Sequence, residues 1–510
     1  MLLNDLPNFL QHWYLQIFAG LVPIYLLFVF YRRYEIYRFP VINGPKPFEF
    51  SQKRQKREYT IRGRQMLREG LKKFGGKPFN MMTDHGYELV FGPQYIDELR
   101  NLEDVSHARA IAKMVNAHYP GLEAFYEFGY GEGIVQDAVK LKLTQALGGV
   151  TQPLSDETAL TLQESFTDNK EWHSINPQQV LLNGVARVSS RLFLGDKLCR
   201  DPAWLKITTT YTTYVAATVF QLNSYPAIFR RIVAPYLTKV QALTQQVSDA
   251  RGLIGKVLKD RASLKARGEK PEYVDAIEWC QDVAQGRHYD PVYAQLTLSF
   301  VAIHTTADMI TQLMFDLAQF PEYIQPLREE VIAVLGKDGW KKTSLYNMKL
   351  LDSAMKESQR LRPINDTALR RIVIKKIKLS DGTILRPGQV FAASSTQHWD
   401  PEIYPDADKF VADRFLKMRA QPGKENVGQF VTTSPNHLGF GHGDHACPGR
   451  FFASNEIKII MCHILLKYDW KLPAGQTPKP FVHGWHLAAD HKTNLEIRRR
   501  EAEIDVDNLF

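Results

Sequence analysis

Cysteine is scarce in this chain. Its four residues (Cys199, Cys280, Cys447, Cys462) are too few and too scattered for a disulfide framework, so the main body reads as a protein of a reducing compartment. Internal repeats and low-complexity tracts are absent, which excludes solenoids and propellers. Charge of one sign is also missing from most of the length. Thirteen Lys/Arg and four acids fall between Arg32 and Lys73, a balance of +9 that equals the net charge of the whole chain. The remainder is neutral as a whole, which argues against a surface that tracks nucleic-acid phosphates. What is present is an ordinary globular composition, 44% hydrophobic and 23% charged over 510 residues, enough for about three average domains or one large one.

One long uncharged run stands out. From Leu6 to Tyr31 there are 26 residues without Asp, Glu, Lys or Arg, long enough to span a bilayer. The start Met-Leu-Leu-Asn-Asp has no basic region, and no small-x-small site follows, so a membrane anchor over 1–31 is expected rather than a cleaved signal. Tyr31, Arg32, Arg33 and Arg38 place the rest of the chain on the cytosolic side. Residues 32–50 read as a basic, proline-rich hinge, and the segment beyond it would sit against anionic lipid. Residues 51–510 are then the main folded body.

Residues 100–360 read mostly as helix. The clearest helix starts at Asp290-Pro291, an N-cap with proline at the first helical position, and runs to Phe320 before Pro321 stops it. After Pro363 two strands are expected, Arg370–Lys378 and Thr383–Ala393, around the turn Ser380-Asp381-Gly382. A helix resumes after Pro448.

The richest stretch chemically is Phe440-Gly441-His442-Gly443-Asp444-His445-Ala446-Cys447-Pro448-Gly449-Arg450. Its glycines permit a tight loop, and Cys447 stands directly before a helix. The dipole and free amides there push a thiol toward thiolate, a soft ligand for iron. Two other readings stay open on the residues alone. His437, His442, His445 and Cys447 could hold zinc, or Cys447 could be an inert thiol at a helix start.

Phe440-x-x-Gly443-x-His445-x-Cys447-x-Gly449 resembles the haem-thiolate signature of the cytochrome P-450 superfamily. Glu357-Ser358-Gln359-Arg360 is similar to that family's Glu-x-x-Arg element, and Asp413-Arg414-Phe415 resembles the segment supplying the third member of its ion network, Arg414. The resemblance implies a mainly α protein with a large helical domain, a small β-rich part and one N-terminal transmembrane helix. It implies haem b bound by Cys447 as axial iron ligand, with Phe440 packing near the sulfur and Gly443 and Gly449 shaping the loop. His445 and Arg370 would pair with the propionates. The family's Trp-x-x-x-Arg is missing around residues 136–147, where Lys140 and Lys142 are the cationic candidates.

The oxygen-activating helix of the family has its counterpart in Val301-Ala302-Ile303-His304-Thr305-Thr306. Thr305 takes the place of the alcohol held beside O2. His304 stands where the family carries an acid, and could replace it in proton delivery. The Ala-Ile-His-Thr-Thr variant resembles the fungal secondary-metabolism branch related to ent-kaurene oxidases. The reading is a membrane-bound monooxygenase, single-pass in the endoplasmic reticulum, oxidising an apolar, terpenoid-type small molecule with O2. Electrons would come from NADPH through a flavoprotein reductase; no nucleic acid is involved. A haem-thiolate isomerase or dehydratase without a reductase, and a non-catalytic haem- or metal-binding membrane protein, are the alternatives.

Overall fold

The computed structural model describes residues 20, 23, 27, 34–47, 49, 51–269 and 272–509. The anchor expected over 1–31 therefore lies outside the described residues, apart from Gly20, Pro23 and Leu27. Among the described residues no helix is long and apolar enough to cross a membrane.

The body is mainly helical. The principal helices are α1 (Lys53–Lys73), α2 (His107–Met114), α3 (Glu123–Tyr130), α4 (Thr144–Phe166), α5 (Pro177–Leu194), α6 (Pro202–Asn223), α7 (Ala227–Val233) and α8 (Thr238–Ala266). They are followed by α9 (Pro291–Gln319), α10 (Ile324–Asp338), α11 (Lys349–Leu361) and α12 (Arg450–Lys467). Three of them open alike. Asn176-Pro177, Asp201-Pro202 and Asp290-Pro291 each pair a side-chain N-cap with a proline whose missing N–H costs nothing in the first turn.

Helix α9 is the axis of the fold. At 1.5 Å per residue it runs about 43 Å, and α3, α5, α6, α11 and α12 pack around it. Its start and stop agree with the sequence expectation. Asp290 accepts hydrogen bonds from the N–H groups of Val292 (2.8 Å) and Tyr293 (3.4 Å).

The β structure is small and peripheral. A five-stranded sheet contains β1 (Phe79–Thr83), β2 (Gly86–Phe91), β3 (Val105–Ser106), β4 (Thr367–Val373) and β5 (Val390–Ser394), in the order β1-β2-β5-β4-β3. Only β2 and β5 run parallel, with Leu89 opposite Phe391. A hairpin of β6 (Phe481–His483) and β7 (His486–Ala488) packs its Trp485 edge-on against Tyr59 of α1.

The two strands expected after Pro363 are each interrupted. Ile377–Lys378 and Ile384–Leu385 form a separate short ribbon around the Ser380–Gly382 turn. Pro387-Gly388 forces the break before β5, because Gly388 takes a left-handed φ of 81°. Strand β4 also carries a bulge: its register against β5 shifts between Ala368 and Arg371, and Leu369 adopts a φ of 53°. A buried leucine in that region is strained backbone, and a bulge re-aims the side chains that follow it.

Candidate functional site

The cysteine loop is built by backbone geometry before any side chain acts. Gly441 and Gly443 hold φ values of 70° and 79°, and a Cβ on Gly443 would stand 2.4 Å from Asn101 Oδ1. Both positions therefore require glycine. The Cys447 N–H donates to the Phe440 carbonyl at 2.8 Å, and the Phe440 ring meets Phe430 edge-on at 5.0 Å. Cys447 thus follows a short helical turn and precedes α12, as the loop sequence implied.

The thiol itself departs from the expectation. Burial raises its pKa, and the N–H groups of Gly449 and Arg450 at the start of α12 only partly offset that. For the free thiol desolvation outweighs the helix terminus. A metal ion reverses the balance, since a coordinating thiol is deprotonated outright. Cys447 lies deep in the fold yet its surface is exposed, which describes a side chain facing an internal cleft.

The same is true of one turn of α9. Val301 and Thr305 are the only exposed positions between Pro291 and Ala318. The Thr305 hydroxyl donates to the carbonyls of Val301 (2.9 Å) and Ala302 (3.2 Å), the back-bonding that loosens a helix locally. His304, one residue earlier, points elsewhere. Burial lowers its pKa, its hydrogen bond runs to the backbone of Thr209 on α6, and its Nε2 has no partner. The ring ties α9 to α6, and its lowered pKa favours the neutral form.

The ion network is complete. Arg360 donates to both oxygens of Glu357 (2.8 and 2.9 Å), and Arg414 Nε reaches the same carboxylate at 2.9 Å. Glu357 and Arg360 are fully buried. The remaining guanidinium protons of Arg360 go to the carbonyls of His398, Ala407 and Lys409, so the pair fastens α11 to the 398–414 segment.

The cations expected at the propionates sit in different surroundings. Arg370 pairs with Glu88 (3.1 Å) and lies over the Trp485 ring. Its neighbour Arg371 is buried, among the described residues no carboxylate pairs with it, and its Nε has no partner. Burial alone pushes that guanidinium down to about 10. Along β4 buried and half-buried positions alternate without a break from Thr367 to Val373, which puts Arg371 on the buried side and Arg370 on the other. Arg371 bears electrostatically on His107 and on His445, and His445 also feels Lys140. Lys142 is engaged by Asp282 at 2.9 Å.

His107 was not legible as a site residue. Burial drives its pKa down to about 4, and its Nδ1 hydrogen-bonds the Arg370 carbonyl at 3.0 Å. Ser106 caps the helix start, but a cap carries no sign of the direction in which the next side chain faces.

The zinc reading fails on the same contacts. His437 is bound to Gln359 at 3.0 Å, and His442 bridges Thr433 and Arg100, both at 3.0 Å. Among the described residues no group of three His, Cys, Asp or Glu side chains could hold a metal ion. A lone thiol facing a cleft, with an uncompensated buried arginine beside two neutral histidines, instead fits an iron-centred, dianionic planar cofactor.

The comparisons point the same way. The family model described as Cytochrome P450 matches residues 134–497. The chain is 44% identical over 473 residues to "Cytochrome P450 monooxygenase hepE" of Aspergillus oryzae, covering 91% of this chain and 86% of that one. It is 46% identical over 439 residues to "Cytochrome P450 monooygenase 1" of Gibberella fujikuroi, covering 84% and 99%. "Cytochrome P450 monooxygenase trt6" of Aspergillus terreus is 42% identical over 452 residues, covering 88% and 92%. Among solved structures, retinoic acid bound cyanobacterial CYP120A1 superposes with a TM-score of 0.63 at 18% identity, covering 85% of this chain and 94% of that one, a likeness of fold.

Proposed function

The chain belongs to the cytochrome P450 family, and on that premise we propose that it is a membrane-bound haem-thiolate monooxygenase acting on an apolar secondary metabolite. The substrate class is a terpenoid, meroterpenoid or indole diterpene, hydroxylated or oxidised further with O2 and NADPH-derived electrons from a flavoprotein reductase. The observation that carries the reading is the Cys447 loop, whose N–H is fixed to Phe440 and whose thiol faces the cleft. When bound, the haem supplies O2 activation and oxygen insertion.

The chain's own residues bind, orient and hold protons. Cys447 ligates the iron. Arg371 and His445, with His107 beside them, hold the propionates. The Arg371→Ala variant should release haem at least roughly tenfold faster, followed by transfer to apomyoglobin, because the propionates lose their buried cation. Arg370→Ala should spare haem retention and cost thermal stability, since its partner is Glu88.

Thr305 holds a hydroxyl at the cleft face of α9. In reconstitution with reductase and NADPH, 18O from O2 should appear in the product. In the Thr305→Ala variant product per NADPH consumed should fall severalfold, and unchanged coupling would remove Thr305 from proton handling. Product formed without NADPH would favour the isomerase or dehydratase alternative, whose motivation is the missing acid at His304.

The uncharged run from Leu6 to Tyr31 supports a single-pass anchor over 1–31 in the endoplasmic reticulum, with residues 32–50 as hinge and 51–510 as cytosolic catalytic domain. A second feature supports membrane contact. Phe220, Ile228, Phe229, Ile232 and Tyr236 on α6, α7 and the turn beyond are 53–81% exposed, five large apolar side chains close together in the chain. Arg230 within it bears electrostatically on Lys56, so the basic start of α1 lies on the same side. Deleting residues 1–33, which spares the Glu35–Arg386 contact, should leave a protein that still floats with anionic vesicles. Adding Ile228→Asp and Ile232→Asp should abolish flotation. A truncated protein that fails to float without them would assign all attachment to the deleted segment.

A further inference from the structure

Helix α11 has a second buried polar face, distinct from the Glu357–Arg360 pair. Asp352, Lys356 and Gln359 lie at i, i+4 and i+7, so they stack along one side of the helix. All three reach into the same stretch of chain, residues 427–439, which leads directly into the cysteine loop.

The contacts are specific. Asp352 accepts from the Phe430 N–H at 2.8 Å and from Lys458 Nζ at 2.6 Å. Gln359 is bonded to His437 at 3.0 Å and lies so close that a Cβ on Gly439 would meet its Oε1 at 2.0 Å. Lys356 is the centre. Its side chain is 1% exposed, and its ammonium donates to three backbone carbonyls, Val427 (2.9 Å), Gln429 (2.7 Å) and Thr432 (2.8 Å). All three ammonium protons are thereby used. The Phe415 ring lies 5.2 Å from Nζ.

This turn is tied to the thiol by a short path. Phe430 lies inside it, the Phe430 ring packs on Phe440, and the Phe440 carbonyl holds the Cys447 N–H. A second tie is Thr433, whose hydroxyl bonds His442 of the loop. A methionine at 356 would fill the space but leave three carbonyls of a half-buried turn without their donor. Desolvation pushes the Lys356 amine down to about 7, so holding a charge here is costly, and packing alone would favour an apolar residue.

We propose that Lys356 is a positioning residue for the Cys447 ligand: its ammonium gathers the 427–432 turn, and through Phe430 and Phe440 that turn fixes the cysteine loop. The proposal rests on the reading of Cys447 as the haem ligand. It differs from the Glu357–Arg360–Arg414 network, which grips the earlier 398–414 segment.

The test uses the full-length holoprotein and three variants, Lys356→Met, Lys356→Gln and Arg328→Met. Arg328, on α10, is a control: it is a buried cation that donates to the carbonyls of Leu465 and Tyr468, away from the loop. Two quantities are read at equal haem occupancy. One is amide hydrogen exchange across 425–440; the other is the Soret position of the reduced carbon monoxide complex.

Lys356→Met should speed exchange of the turn by roughly tenfold or more, as expected when a buried hydrogen-bond partner is lost. It should also convert a large share of the far-red-shifted band to the shorter-wavelength band of a haem without thiolate. Lys356→Gln, which keeps two donors, should fall between it and wild type. Arg328→Met should lower thermal stability with neither effect. If Lys356→Met is too unstable to load haem, the Lys356→Gln and Arg328→Met pair decides alone. A loosened turn with an unchanged band would overturn the proposal while leaving Cys447 as ligand. A wild-type protein without the far-red-shifted band would overturn the premise, and the proposal with it.

Discussion

The Cys447→Ala protein should fold, and its reduced carbon monoxide complex should lack the far-red-shifted Soret band altogether. NADPH-dependent product should fall to background. Folding is expected to survive because Cys447 is exposed to the cleft and contributes little packing, while its structural role is carried by the backbone bond to Phe440. The chemistry is expected to vanish because no other thiol can take its place. Cys199 and Cys280 are buried in the helical core, where desolvation pushes both thiols up to about 12. Cys462 is buried on α12 against the Met348 sulfur. A retained far-red band in the variant would remove Cys447 as the ligand and with it the proposed function.

Arg360→Ala should have the largest effect on the fold. The substitution leaves Glu357 fully buried with Arg414 as its remaining charged partner, and it deprives the carbonyls of His398, Ala407 and Lys409 of their donor. Removing one member of a buried ion pair costs about 3–5 kcal/mol, a large part of the roughly 5–15 kcal/mol that holds a typical domain together. The expected outcome is a protein recovered mostly without haem, with a melting transition lowered or lost. Differential scanning calorimetry with haem quantification checks it. Normal haem loading and a transition near that of wild type would show that the 398–414 segment is held by other means.

How far the sequence led is best judged residue by residue. The Asp290-Pro291 start and the Pro321 stop of α9 were legible because capping and proline sterics are local. The Cys447 loop was legible because its glycines, thiol and helix start lie within eleven residues, and Glu357, Arg360 and Arg414 because their motifs are short. Arg371 was not. Spacing from Pro363 points to Arg370, and of two adjacent arginines only the packing of the strand tells which one is buried. His304 shows a related limit: a position in a motif names a place on the helix but not what faces it, and here α6 supplies Thr209. Lys356 was silent because a lysine beside a glutamate on a helix reads as a solvated pair. Only the return of residues 427–432 over α11 makes it a buried cation.

The two-sided use of α11 has a consequence for how this protein can change. From Leu351 to Leu361 every residue is buried, and the polar ones grip separate segments on either side. That stretch therefore has no free surface on which substitutions can accumulate harmlessly. Random libraries spread over the whole gene would lose most clones that strike this stretch, whatever substrate is screened. Diversity aimed at new selectivity is better confined to α6, α7 and the Val301–Thr305 turn of α9, leaving the eleven residues of this keel untouched.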